Sequence, residues 1–200
     1  MSEVDLWYAS RATGIVALVL LSATVFLGAL VAGRARSSSP LFARAEVHRM
    51  VSLIALVFLA AHILTAVFDT YVHIGWWAVV VPFASSYKRL WVAIGTVGLD
   101  SLLAVAISSA LRHRIPARAW RLVHWLAYLS WPAAVVHGLE MGSDTSFGWA
   151  QGVVAACTAL VVGAVAWRSV EAVRARSARP LTIIGARPSL RLAARRQAGK

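Results

Sequence analysis

Long apolar runs separated by short polar segments dominate the pattern of this chain. Five runs are roughly 20 residues or longer and carry few charges, which is the length an α-helix needs to cross a bilayer. They cover approximately residues 12–33, 46–68, 90–111, 119–139 and 148–167. The pattern predicts an all-α integral membrane protein, built as a bundle of about five transmembrane helices.

The composition supports this class, and the positions of the charges predict an orientation. The 200 residues are 60% hydrophobic and only 14% charged, which is too apolar for an ordinary soluble domain. Four arginines lie between runs one and two, four lie between runs three and four, and nine basic residues lie from Arg168 to Lys200. Only Arg11, Lys88 and Arg89 lie on the other side.

This alternation is typical of the positive-inside rule and does not indicate a nucleic-acid partner for the net charge of +12. It predicts a multi-pass protein of the plasma membrane with its N-terminus outside and its C-terminus in the cytoplasm. Runs two and four then cross the bilayer in the same direction. The basic residues 169–200 are expected to form a cytoplasmic tail that lies on the membrane surface or is disordered.

Runs two and four each carry a histidine near both ends, His48 and His62 in one, His124 and His137 in the other. A histidine in hydrocarbon is costly unless it has a partner. Each pair spans about 20 Å along a helix, which fits inside a hydrocarbon core of about 30 Å. Because the two runs are parallel, His48 can face His124 at the inner depth, and His62 can face His137 at the outer depth.

Two facing imidazoles are a ligand set that haem iron accepts, so this pattern predicts two bis-histidine metal sites stacked across the bilayer. His124 and His137 are thirteen residues apart, which leaves them about 140° from a shared face on an ideal helix. Pro132 lies between them and removes one helical hydrogen bond. We therefore predict a kink or local rewinding near Tyr128 to Pro132. The one cysteine, Cys157, excludes a disulfide or a cysteine-ligated cluster within the chain.

Four further side chains are candidates for the same sites. Arg11 is either a partner for an outer haem propionate or a snorkelling end residue. Arg49 is either an inner propionate partner or a lipid contact. Trp131, near the midpoint of run four, is either an aromatic stepping point between haems or packing. Asp100, inside run three, either bonds a ligating imidazole or carries a proton, or it bonds a neighbouring helix.

Small residues and a short apolar segment complete the pattern. Gly14 and Gly28 in run one allow close approach of another helix or of a flat porphyrin. The sequence IGWWAVVVPF within residues 69–89 is too short to span, and we expect it to cover the outer end of the bundle as an interfacial or re-entrant segment. His73, in the same loop, is interpreted as a surface histidine, with a substrate or metal contact as the alternative.

These residues resemble the ferric-reductase-like transmembrane domain family, which includes membrane parts of NADPH oxidases, the six-transmembrane metalloreductases and the haem subunit of the periplasmic methionine-sulfoxide reductase. The resemblance covers about residues 8–168 and rests on two histidine pairs, with thirteen residues lying between His48 and His62 and twelve between His124 and His137. It implies two b-type haems, the inner bound by His48 and His124 and the outer by His62 and His137. Residues 1–168 are then the haem-binding domain. Family members often have six spans, and a sixth is not found in this pattern.

The resemblance also implies an oxidoreductase subunit that carries electrons from a cytoplasmic donor to an external acceptor such as ferric iron. No GxGxxG motif or flavin-binding domain follows run five, so we expect a separate flavin reductase, a flavin at the membrane face or a quinol as the donor. One alternative is a quinol-linked haem subunit that feeds a periplasmic reductase. Another is a non-catalytic membrane protein whose histidines bridge helices. A transporter with a proton path is disfavoured, because no internal repeat is visible.

Overall fold

The computed structural model describes residues 3–32, 41–69, 72, 74–142 and 148–177, and these residues are helical apart from short connections. The predicted all-α membrane class is confirmed. His73 lies outside the described residues, as does the tail beyond residue 177. The chain divides into one unit of residues 1–168 and another of residues 169–200, and residues 169–177 of the second unit are helical.

Within the described residues, six α-helices account for the five apolar runs. They are α1 (Glu3–Ala32), α2 (Leu41–Phe68), α3 (Arg89–Ala110), α4 (Ala117–His124), α5 (Ala127–Met141) and α6 (Gly148–Ser177). Four of them, α1, α2, α3 and α6, are long and apolar enough to cross a membrane. The fourth predicted run is also helical, but it is divided between α4 and α5, so neither piece reaches that length alone.

The break between α4 and α5 lies at Trp125 and Leu126, just before the segment Tyr128 to Pro132 where we predicted it, and the rewinding extends into that segment as far as Leu129. The N–H groups of Leu126, Tyr128 and Leu129 donate to carbonyls three residues earlier, at 2.9 to 3.0 Å. Each such step turns the chain by about 120° instead of about 100°, which removes part of the mismatch between the two histidines of this run. Pro132 lies inside α5. Because it offers no N–H to the carbonyl four residues earlier, the rewinding occurs in the preceding turn.

The helices of residues 1–168 pack chiefly as two pairs, α1 with α2 and α3 with α5, and α1 also contacts α5. The pairs meet in a buried cluster formed by Leu21, Val25, Trp131 and Val161. Small residues allow close approach within a pair: a Cβ at Gly98 would lie 3.2 Å from the Cβ of Ala133. Helices in lipid associate through such van der Waals contact, because lipid tails are as apolar as the side chains.

The segment between α2 and α3 contains a short 3-10 helix, Trp76–Val79, that packs on α3. Ala78 is buried, and its carbonyl accepts a 2.6 Å hydrogen bond from the hydroxyl of Thr96, which is also buried. Trp76 and Trp77 remain exposed. The segment is therefore tied to the bundle by a buried polar contact, and the Trp76 ring also packs edge-to-face on Phe68 of α2.

We expect Thr96→Val to destabilise the protein by about 1–3 kcal/mol, because the buried carbonyl of Ala78 loses its donor. The matched control is Thr158→Val, since the Thr158 hydroxyl bonds only the carbonyl of Val154 in its own helix. Thermal unfolding of the two variants in detergent measures the difference. Equal unfolding temperatures would contradict a specific role for the Thr96 contact.

Candidate functional site

The structure brings His62 of α2 and His137 of α5 together. Their ring centroids are 6.4 Å apart and the ring planes are inclined at 82°. Two imidazoles that bind opposite sides of one metal ion place their centroids about 6 Å apart, since each metal–nitrogen bond is about 2 Å. The spacing of this outer pair is therefore that of two imidazoles sharing one metal ion.

Both rings of the outer pair are held by backbone carbonyls of neighbouring helices. Nδ1 of His62 donates to the carbonyl of Ser10 in α1 at 2.8 Å, and Nδ1 of His137 donates to the carbonyl of Trp91 in α3 at 2.8 Å. A carbonyl can only accept, so Nδ1 carries the proton and the lone pair of the neutral ring lies on Nε2. This is the tautomer in which metal-ligating histidines are usually held.

The outer pair borders a cavity of about 340 Å³, which is within the size range of small-molecule and cofactor sites. Five of the helices (α1, α2, α3, α5 and α6) and the segment between α2 and α3 line it. Apolar side chains predominate. The polar lining residues, apart from the two histidines, include Ser10, Arg11, Asp69, Tyr87, Thr96, Ser130 and Gln151. The cavity thus suits a largely apolar ligand with a few polar groups.

The inner pair is built differently. Nδ1 of His48 donates to the carbonyl of Thr24 in α1 at 3.0 Å. Nδ1 of His124 is buried and has no hydrogen-bond partner in the part of the chain that the structure describes. The His124 ring stacks on Trp120, with centroids 4.7 Å apart and an interplanar angle of 29°. His48 and His124 are close enough to interact electrostatically, and neither of them lines the outer cavity.

The two candidate arginines occupy different surroundings. Arg11 lines the outer cavity; its guanidinium lies 5.0 Å from the centre of the Trp7 ring, and its Nη2 donates to the carbonyl of Met141 at 3.4 Å. The Arg49 side chain is 65% exposed and forms a 2.6 Å ion pair with Glu46. Of the two arginines, only Arg11 therefore lines the cavity that a histidine pair borders. A cofactor contact of Arg49 stays a prediction.

Trp131 and Asp100 also differ in their surroundings. Trp131 is 8% exposed, and its indole N–H donates to the hydroxyl of Ser22 in α1 at 2.9 Å. Asp100 is half-buried in α3, and its carboxylate makes no hydrogen bond or ion pair with the described residues. It is not bonded to His48, His62 or His137, whose Nδ1 atoms contact backbone carbonyls, and its role as a hydrogen-bond partner or proton carrier remains a hypothesis.

The sequence reasoning missed what the glycines contact. Gly14 and Gly28 of α1 lie against the imidazoles of His62 and His48, and Gly95 of α3 lies against that of His137. A signal for the first two was present: Gly14 and Gly28 are fourteen residues apart, as are His48 and His62. Gly95 and Ser22, which the sequence reasoning also missed, had no such signal.

A comparison with protein-family models finds one match, described as the ferric reductase like transmembrane component, over residues 13–135. These residues are more than half of the chain, include three of the four paired histidines and end two residues before His137. Searches of curated proteins and of solved structures find no match.

Proposed function

Because this chain belongs to the family of ferric-reductase-like transmembrane components, we propose that it carries electrons across the membrane through two b-type haems, each bound by two histidines. Membership supports the coarser description, a multi-pass oxidoreductase component. One observation supports the finer one above all: His62 and His137 lie 6.4 Å apart, each with Nδ1 engaged by a carbonyl.

The donor set favours haem over a bare metal ion. Among residues 3–32, 41–69, 72, 74–142 and 148–177, no group of three or more His, Cys, Asp or Glu side chains is placed to hold a metal. A metal bound by only two imidazoles needs its other ligands from elsewhere, and in haem the porphyrin provides them. Bound haem would supply reversible one-electron chemistry at a potential that the protein tunes.

The chain's own residues would bind and orient these groups. His62 and His137 would hold the outer haem, and His48 and His124 the inner one. Arg11 is a cationic side chain at the outer cavity, suited to an outer propionate. At the inner end, Arg44 lies one turn before His48 and is half-buried, so it joins Arg49 as a candidate partner for an inner propionate.

The proposed direction of transfer is outward. Family membership suggests a cytoplasmic donor, either a flavin reductase or a quinol, and an external acceptor such as ferric iron, and the positive-inside pattern would place the outer pair on the external side. Ala78 and Val79 of the segment between α2 and α3 line the same cavity as the outer pair, so this segment would lie between the outer haem and the external side.

A structural role for the histidines is the second candidate function, and one observation favours it. The Nδ1 contacts of His48 and His62 join α2 to α1, and that of His137 joins α5 to α3. Such bonds would stabilise the bundle even without a cofactor. Haem content separates the two functions, since helix bridges need none.

The decisive experiment is a reduced-minus-oxidised optical spectrum of the purified protein, with haem counted per chain after expression in ample haem. We expect two low-spin b-type haems per chain. One haem would overturn the two-site proposal, and no haem would favour the structural role. Reduction by a flavin reductase with NADPH and by a quinol, tested separately in vesicles, then identifies the class of donor.

A further inference from the structure

We propose that Gly14, Gly28 and Gly95 are positioning residues for the metal-binding histidines. Each leaves a backbone carbonyl of its own helix uncovered, so that a facing imidazole can donate its Nδ1–H to that carbonyl. The ring is thereby held with Nε2 available to iron. This inference rests on the proposed haem-binding function and assigns a role to residues that do not themselves touch iron.

The same arrangement occurs three times in the described part of the chain. In each case the glycine follows the accepting residue by four positions, and the glycine and the carbonyl contact the same imidazole. The three sets of histidine, accepting residue and glycine are His62 with Ser10 and Gly14, His48 with Thr24 and Gly28, and His137 with Trp91 and Gly95. Two helices, α1 and α3, provide them, so the arrangement is not a property of one helix.

Helix geometry explains the spacing of four. The Cα–Cβ bond of a helical residue tilts toward the N-terminus, so its side chain covers the turn that precedes it. That turn contains the carbonyl four residues earlier. A Cβ at Gly14 would lie 2.9 Å from Nδ1 of His62, and one at Gly95 would lie 2.5 Å from Nδ1 of His137. At Gly28 the nearest atom, Cε1 of His48, would be 3.3 Å away.

His124 provides an internal contrast. In α1 and α2, the two glycines are as far apart as the two histidines that they contact, fourteen residues in each case. His124 and His137 are thirteen residues apart, so the position that would correspond to His124 in α3 is thirteen residues after Gly95, which is Ser108. Ser108 is buried, and its hydroxyl donates to the carbonyl of Val105 in its own helix. The one paired histidine without a glycine at this spacing is also the one whose Nδ1 has no partner among the described residues.

The arrangement has a chemical consequence for bound haem. An imidazole that donates Nδ1–H to a carbonyl is a stronger electron donor to the metal through Nε2. Stronger donation stabilises ferric iron over ferrous iron and lowers the reduction potential. Moving an imidazole away from its carbonyl should therefore raise the midpoint potential of the haem that it binds.

Potentiometric titration of single glycine variants tests this. We expect Gly14→Ala to raise the midpoint potential of the outer haem, or to remove that haem, while the inner haem keeps its potential. Gly95→Ala should have a larger effect and Gly28→Ala a smaller one, confined to the inner haem. Gly152→Ala and Gly163→Ala are matched controls, because a Cβ at either position would lie within 4 Å of no side chain or neighbouring helix in the described part of the protein.

Ser10→Ala separates the carbonyl from the hydroxyl of the same residue. The Ser10 hydroxyl lies 3.4 Å from Nδ1 of His62, whereas the carbonyl lies 2.8 Å away. We expect Ser10→Ala to shift the outer potential less than Gly14→Ala does, because the accepting carbonyl is retained. A shift as large as that of Gly14→Ala would assign the effect to the hydroxyl and overturn the inference.

The remaining outcomes are also informative. If the wild type binds two haems and Gly14→Ala titrates like Gly163→Ala, the inference is wrong and the proposed function stands. If the wild type binds no haem, the proposed function itself fails. If Gly14→Ala retains neither haem, the milder Gly28→Ala decides: an unchanged inner potential overturns the inference, and a raised one supports it.

Discussion

Replacing His62 by alanine is expected to reduce the haem content from two per chain to one and to abolish electron delivery to an external acceptor. Its partner His137 would keep its bond to the Trp91 carbonyl but would face a cavity with only one imidazole. A low-spin b-type haem needs both axial ligands. The inner pair would be untouched, so the remaining haem should still be reduced from the cytoplasmic side.

The matched control for this prediction is His113→Ala. His113 is exposed between α3 and α4 and belongs to neither pair. We expect its haem spectrum and its external reductase rate to equal those of the wild type. If His62→Ala still binds two haems, the outer pairing of His62 with His137 is wrong. If it loses both, the two sites do not form independently.

The helical class of the protein was predictable because apolar length and charge position are direct physical requirements of a bilayer. The juxtaposition of His62 with His137 followed from those same requirements. Two nearly equal histidine spacings on parallel helices leave few other arrangements. This inference needed no side-chain detail, since it depended only on helical rise and on which helices run in the same direction.

The hydrogen-bond partners of the histidines were not predictable from residue types. Every helical residue has a carbonyl, so the sequence does not distinguish those of Ser10, Thr24 and Trp91 from the rest. A carboxylate such as that of Asp100 is a more visible candidate, and sequence reasoning naturally turned to it. What distinguishes the three carbonyls is the glycine four residues later. The matching spacing of fourteen was a signal for two of these glycines, but their contacts with the imidazoles are seen only when the facing helices are placed together.

The rewinding between α4 and α5 shows a second limit. Pro132 correctly indicated a disturbance in this run, but the break between the helices lies at Trp125 and Leu126, and the altered hydrogen bonds reach only as far as Leu129. Proline has no N–H, so the carbonyl four residues earlier loses its hydrogen-bond donor, and the chain can take up that loss over several residues. Local sequence does not specify at which of these residues it does so.

The outer and inner pairs therefore differ in how firmly they are held before any cofactor binds. Both outer imidazoles are anchored by carbonyls, whereas only His48 of the inner pair is anchored among the described residues. The His124 ring instead stacks on Trp120. If ligand orientation limits haem capture, the outer site should fill first when haem is scarce.

Replacing Trp131 is expected to have the largest effect on stability, because its indole joins the helix pairs. It packs with Leu21, Val25 and Val161, and its N–H donates to the hydroxyl of Ser22, which is 0% exposed. Trp131→Ala should destabilise the protein by about 3–5 kcal/mol through the cavity that it leaves. Trp131→Phe keeps most of the aromatic volume and loses one hydrogen bond, so we expect a cost of about 1 kcal/mol.

The same two variants separate the packing role of Trp131 from a role in electron transfer. Trp131 lies about 10 Å along the helix axis from each histidine of its run, between the two predicted haems. Haem retention on heating measures the packing role, and the rate of external reduction in vesicles, per bound haem pair, measures transfer. If the phenylalanine variant is nearly as stable as the wild type but transfers electrons much more slowly, the indole is a stepping point. If Trp131→Phe and the wild type reduce the external acceptor at equal rates per bound haem pair, Trp131 is a packing residue only. If Trp131→Ala is as stable as the wild type, the place of Trp131 in the core is contradicted.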